Sequence, residues 1–156
     1  MRLKFLPLCD DLVGPFAALS VAEADRHLIA PNAVWLAEAA LTPDARTFCV
    51  VGDGPVGLVS LIDPRVVDED DHFTPDCLYV WRLMVDASAR RSGHGARIVQ
   101  FVKDYAQLVG LSGVTLTTMD RHPNNALPFY EGQGFTQTGR RLQGEAELIW
   151  RPDPEE

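Results

Sequence analysis

The stretch from Leu78 to Gly110 restricts the folds open to this chain more than any other. It begins as a β-rich run, Leu78 to Val85, and passes through a short loop to Gly93-His94-Gly95. A helix opening at Ser92 or Gly93 follows. Its residues Ile98, Phe101, Val102, Tyr105 and Leu108 recur at helical spacing, while Arg97, Gln100, Lys103, Asp104 and Gln107 fill the other face. Gly110 stands where a left-handed residue would end the helix. A strand feeding such a helix must fold it back onto a sheet, so the expected class is α/β.

The flanking segments extend that reading. Arg2 to Leu8 is read as a first strand, and Pro15 to about Leu41 as helical, broken at Pro31-Asn32, with Asn32 a candidate N-cap for Ala33 to Ala40. Thr47 to Val51 and Val56 to Ile62 are β-rich and joined by Gly52-Asp53-Gly54-Pro55, a hairpin signal. In Leu78 to Val85, Tyr79 and Trp81 are expected on one face and Leu78, Val80 and Arg82 on the other. Val114 to Met119, Phe135 to Thr138 and Glu145 to Trp150 read as strands, and Asn125 to Glu131 as a short helix. The expected order β–α–α–β–β–β–α–β–α–β–β describes one mixed sheet flanked by helices. With 156 residues, one domain spanning 1–156 is expected, because chains usually split only beyond roughly 250 residues.

Charge and cysteine usage narrow the partners. Lys plus Arg number 14 against 22 Asp plus Glu, a net charge of −8, which disfavours nucleic acid and anionic membranes and favours cationic partners. The three cysteines, Cys9, Cys49 and Cys77, form no CxxC pair, and their odd number fits a reducing compartment. Leu6-Pro7-Leu8-Cys9 is preceded by too short an apolar stretch to be a signal segment, and Asp10-Asp11 follows at once. A cytoplasmic protein is expected.

Arg90-x-x-Gly93-x-Gly95 sits between a strand end and a helix start. Glycines permit close backbone approach, and the first helical N–H groups are free for phosphate oxygens, so the segment reads as a diphosphate cradle. It has no lysine for a P-loop, and Ile98 replaces the third glycine of a dinucleotide fingerprint. A second segment runs Asn124-Asn125-Ala126-Leu127-Pro128-Phe129-Tyr130, then Gly134-Phe135. Together the two resemble the GNAT superfamily of acyl-CoA-dependent N-acetyltransferases, whose pyrophosphate motif [QR]-x-x-G-x-[GA] is matched by Arg90 to Gly95 after Leu83-Met84-Val85.

That resemblance implies acetyl-CoA as co-substrate, held by Leu83, Met84, Val85, Arg90, Arg91, Ser92, Gly93, His94, Gly95 and Asn124. It implies Tyr130 as the general acid that protonates the departing thiolate. Asn124 stands one position later than the family asparagine. His94 is expected to act through its backbone N–H. A finer resemblance, in Ala30-Pro31-Asn32, Leu36 to Ala39, Pro55-Val56-Gly57 and Tyr79 to Asp86, is to the bacterial diamine and spermine/spermidine acetyltransferases. It implies a small cationic amine as acceptor, with an amine antibiotic or amino acid as the alternative, or an acyl-CoA sensor without turnover. The acidic candidates for gripping a polycation are Glu38 and the run Asp68-Glu69-Asp70-Asp71, with Glu69 and Asp71 foremost. Some base must take the proton of an amine whose pKa is about 10, and Glu38, Asp76, Asp120 and Glu145 are the candidates. Direct transfer in a ternary complex is expected. No metal site is expected among the four histidines. Homodimers are common in the family, so a homodimer is a further expectation.

Overall fold

The computed structural model describes residues 2–66, 73–89 and 93–153. Seven strands form one mixed sheet: β1 (Lys4–Pro7), β2 (Ala45–Val51), β3 (Pro55–Ile62), β4 (Cys77–Val85), β5 (Gly113–Thr118), β6 (Thr136–Leu142) and β7 (Glu145–Trp150). Their spatial order is β1-β2-β3-β4-β5-β7-β6, and only the β4–β5 pair is parallel. The element order expected from sequence is the one observed. Four helices flank the sheet: α1 (Asp10–Ala17), α2 (Asn32–Ala40), α3 (His94–Leu108) and α4 (Leu127–Gly132).

Two apolar clusters fix the layers. Leu78, Val80, Val114, Leu116 and Leu148 of the sheet pack with Ile98, Val99, Val102 and Ala106 of α3. In the other cluster, Cys49, Leu58 and Met84 meet Phe16 of α1 and Trp35 and Leu36 of α2. The parallel β4–β5 pair needs a crossover, and α3 supplies it. Gly110 (φ +84°) ends α3 with paired bonds, Leu111 N–H to the Ala106 carbonyl and Gly110 N–H to that of Gln107, 2.8 and 3.1 Å.

Several local expectations are corrected. Helix α1 begins at Asp10, with Asp10 and Asp11 favourably placed in its positive first turn and Pro15 inside it. A 3₁₀ turn, Glu23–Leu28, stands between α1 and α2 where a continuous helical stretch was expected. Asn32 is not an N-cap: Pro31 caps α2, and the Asn32 side chain donates 2.8 Å to the Phe16 carbonyl, tying α2 to α1. Leu108 is 84% exposed, and Val99 and Ala106 complete the buried face of α3 instead. β6 runs on to Leu142, exposed along most of its length, with a register shift around Gly139 (φ +89°).

The correction that matters most lies in β4. Pairing with β3 jumps from Leu61↔Val80 to Ser60↔Arg82, leaving Trp81 as the extra residue of a β-bulge. The bulge breaks the alternation expected from sequence. Leu78, Val80, Leu83 and Val85 turn toward α3, while Arg82 reaches α2 and bonds Glu38. Pairing of β4 with β5 stops at Val80↔Leu116. Beyond that point the two strands part.

Candidate active site

The gap between the parted strands opens into a cavity of about 690 Å³. One wall is Trp81 to Val85 of β4, and the other is Leu116 to Met119 at the end of β5. The start of α3 and the segment 124–130 close its far side. Since β5 leaves β4 at Val80, the edge from Trp81 onward presents backbone donors and acceptors that no strand uses. An extended, amide-bearing ligand could pair there as a strand would.

At the head of α3, Gly93 and Gly95 are required for different reasons. Gly93 caps the helix at φ +74°, a conformation that side chains rarely adopt, and open space surrounds its Cβ position. A Cβ on Gly95 would come within 3.2 Å of the Phe129 ring of α4. The second glycine thus lets α4 lie against α3. The His94 ring is also buried, its Nδ1 left without a partner at the cavity wall. Beside the positive end of a 15-residue helix, that orphaned polar atom suits an anionic ligand. Arg90, Arg91 and Ser92 lie outside the described residues, as do Glu69, Asp71 and the rest of the acidic run.

Tyr130 stands on α4 with its ring edge-on to Phe129 and Phe135, at 5.1 and 5.7 Å, and lines the same cavity. Burial pushes its hydroxyl up to about 12, so the phenol keeps its proton at any working pH. Asn124 and Asn125 also line the cavity. The Asn124 amide, however, donates to the Ala24 carbonyl at 2.7 Å and to Asp25 Oδ1 at 2.9 Å. It straps the 3₁₀ turn to the loop before α4, while the Asn125 side chain accepts from Leu127 N–H at 2.9 Å.

The carboxylates named from sequence separate clearly. Glu38 is tied to Arg82 at 2.6 Å, Asp76 to Arg151 at 2.8 Å, and Asp120 to Arg141 at 2.8 Å. Arg151 and Arg141 hold the carboxyls of Asp76 and Asp120 below the usual range. Glu145 alone of the four lines the cavity, and it accepts a 2.9 Å bond from the Thr117 hydroxyl. The Tyr79 hydroxyl lies 3.4 Å from Thr117, and burial raises its pKa. The sequence reading missed Tyr79, Thr117 and Arg82 as site residues. The alternation Val114-Thr115-Leu116-Thr117 carried the signal, because it puts polar side chains on one face of the strand.

None of the three cysteines lines the cavity. Cys49 and Cys77 are buried, and loss of solvation pushes both thiols up to about 11. Among the described residues no cluster could hold a metal ion, and no helix is long and apolar enough to cross a membrane.

The profile of the Acetyltransferase (GNAT) family matches residues 11–135. No curated protein matches this sequence. An acetyltransferase from Thermus thermophilus is similar in structure, with TM-score 0.68 at 13% identity over 97% of this chain and 98% of that one. A PaiA N-acetyltransferase from Thermoplasma acidophilum, in complex with coenzyme A, superposes with TM-score 0.70 at 10% identity, covering 97% and all of the respective chains. A chimera built on the spermidine N-acetyltransferase SpeG of Vibrio cholerae gives 0.68 at 14% identity, over 97% and 96%. The family profile spans most of the sequence and takes in both strand walls of the cleft, the head of α3 and α4: this chain belongs to the GNAT family and is an acetyl-CoA-dependent N-acetyltransferase.

Proposed function

We propose that the chain acetylates a primary amine of a small cationic acceptor, a diamine or polyamine, by direct transfer within a ternary complex. The observation that carries this reading is the content of the cleft: a neutral phenol, Tyr130, and a carboxylate, Glu145, with no thiol among the residues lining it. An acyl-enzyme route needs a reactive thiolate, and thiols held near 11 away from the cleft do not supply one. The net charge of −8 suits a cationic acceptor, as do the stretches that resemble the diamine and polyamine enzymes. The likeness to the SpeG chimera adds the same fold. Three free cysteines fit a reducing compartment, and the cytoplasm is our assignment.

Bound acetyl-CoA supplies an acetyl group activated as a thioester. The residues suited to hold it are Leu83 to Val85, whose open edge can pair with its amide arm, and Gly93 to Gly95 with His94 Nδ1, which face its anionic end. Tyr130 holds a proton toward the leaving sulfur. A phenol near 12 lies well above an ordinary thiol, so full transfer ahead of C–S cleavage is uphill. Tyr130 therefore acts mainly as a hydrogen-bond donor, and its proton moves only as the C–S bond breaks.

One observation favours a second acceptor class. Arg82 lines the cleft, and its Nη1 is buried with no partner, which suits the carboxylate of an amino acid. A single panel separates the two: spermidine, 1,3-diaminopropane, a monoamine and amino acids, each with acetyl-CoA, followed by release of free thiol. Diamines and polyamines should exceed the monoamine roughly tenfold in kcat/KM and lose that advantage with added salt. Equal turnover without salt dependence removes the polyamine assignment, and turnover of amino acids alone installs the second class.

A further inference from the structure

We propose that Glu145 takes the proton from the acceptor amine, and that Thr117 and Tyr79 position its carboxylate for this; the inference rests on the acetyltransferase reading above. Selection among the carboxylates comes first. Glu38, Asp76, Asp120 and Glu147 each face an arginine within 3.4 Å, so their charge is already answered. Asp25, also on the cavity wall, accepts the Asn124 amide. Glu145 lines the cavity, and the ion pairs among the described residues leave it out.

The hydrogen bonds around it run in one direction. An ionised carboxylate only accepts, so the Thr117 hydroxyl must donate its single hydrogen to Glu145 Oε1. Thr117 is then left with acceptor capacity only, and the Tyr79 hydroxyl, 3.4 Å away, is placed to donate to it. Two donors in series polarise toward the carboxylate and fix one oxygen, while the second oxygen carries no side-chain bond. The other charged groups about this chain are Arg82 and Glu147, which act on Tyr79, and Arg121 and Arg141, whose guanidinium groups donate to the carbonyl of Gly144.

The chemistry requires such a group. As the N–C bond forms, the attacking nitrogen becomes acidic. Its proton passes to Glu145 as the C–S bond breaks, and the thiolate draws a proton through the Tyr130 hydroxyl. Glu145 then loses its proton to solvent and Tyr130 regains one, so the sum is amine plus thioester giving amide plus thiol. The two proton-handling groups reach the cleft from different elements, Tyr130 from α4 and Glu145 from β7.

The test uses Glu145→Gln, Glu145→Asp, Thr117→Val and the double variant Thr117→Val/Glu145→Gln. Each is measured with 1,3-diaminopropane for turnover and with acetyl-CoA by calorimetry. Glu145→Gln should lower kcat roughly 10²-fold at pH 7 while acetyl-CoA affinity stays within about twofold. The deficit should shrink toward pH 9.5, where hydroxide replaces the missing base, and Glu145→Asp should recover part of the loss. Thr117→Val should lose roughly tenfold alone and nothing further in the double variant, since it acts through Glu145. Wild-type kcat in Glu145→Gln overturns the inference, and so does loss of acetyl-CoA binding in that variant, which would make Glu145 structural. Independent, multiplying losses overturn the role of Thr117. A wild-type chain that binds acetyl-CoA yet acetylates no amine overturns the proposed function, and this inference with it.

Discussion

From Cys77 to Val80, β4 is hydrogen-bonded to β5; from Arg82 to Val85 it is bonded to β3 alone. The first half is closed and at most 6% exposed, whereas most of the second half is partly open along the cleft. Both halves have similar apolar composition, so composition does not separate them. The bulge at Trp81 does, because it adds twist where β5 turns away. One half commits its backbone bonds to the fold, and the other leaves one edge available to a ligand. Substitutions in the closed half, apart from Tyr79 at the cavity wall, should therefore alter stability with little effect on kinetics. Those facing the open half should do the reverse.

The largest expected effect tests the closed half. Leu78 is 1% exposed beneath α3, and Leu78→Ala should cost about 3 kcal/mol in urea unfolding through lost burial and a residual cavity. Acetyl-CoA KM in the folded fraction should not move, and a large change there breaks the comparison. Next comes Tyr130→Phe, which keeps the ring packing and removes the hydroxyl. Its kcat should fall about 10²-fold, equivalent to about 2.7 kcal/mol, with KM for acetyl-CoA unchanged. Wild-type kcat would return Tyr130 to a purely packing role.

Smaller effects sharpen the contrast. Gly93→Val strains a position at φ +74°, and Gly95→Val drives the Phe129 ring away from α3. Either should raise KM for acetyl-CoA about tenfold, roughly 1.4 kcal/mol, and unchanged affinity by calorimetry would remove the α3 terminus from the binding site. The smallest expected effect is none. As the proposed donor Tyr130 must be protonated, its hydroxyl lies near 12, and activity is expected to fall only as pH rises through that value. The kcat profile should thus show no falling limb between pH 7 and 9.5, and an inflection there that vanishes in Tyr130→Phe would contradict the burial argument.

The sequence made the β4–α3 unit legible, since a strand, two glycines and an amphipathic helix leave one arrangement. Tyr130 could be named because its neighbours Phe129, Gly134 and Phe135 carry a local pattern. The bulge at Trp81 was hidden: a single extra residue obeys no periodicity, and it turned Arg82 toward Glu38 against the expected alternation. The strap from Asn124 to Ala24 and Asp25 was equally hidden, because it joins residues about a hundred positions apart. Likewise, no local pattern could show that three of four candidate carboxylates would find arginines and one would not. Long-range pairing decides the chemistry of such groups, and it leaves no trace in a window of neighbours.

The two outer strands of the sheet bear on how the chain behaves when crowded. β1 has four residues and ends in Pro7, which cannot donate to a further strand. At the opposite border, β6 carries Arg140 and Arg141 and shifts register around Gly139. A sheet grows into aggregates by adding strands to a straight, uncharged border, and neither border here is one. The protein can thus keep a cleft with unpaired backbone in its interior without offering the same unpaired backbone to other copies of itself.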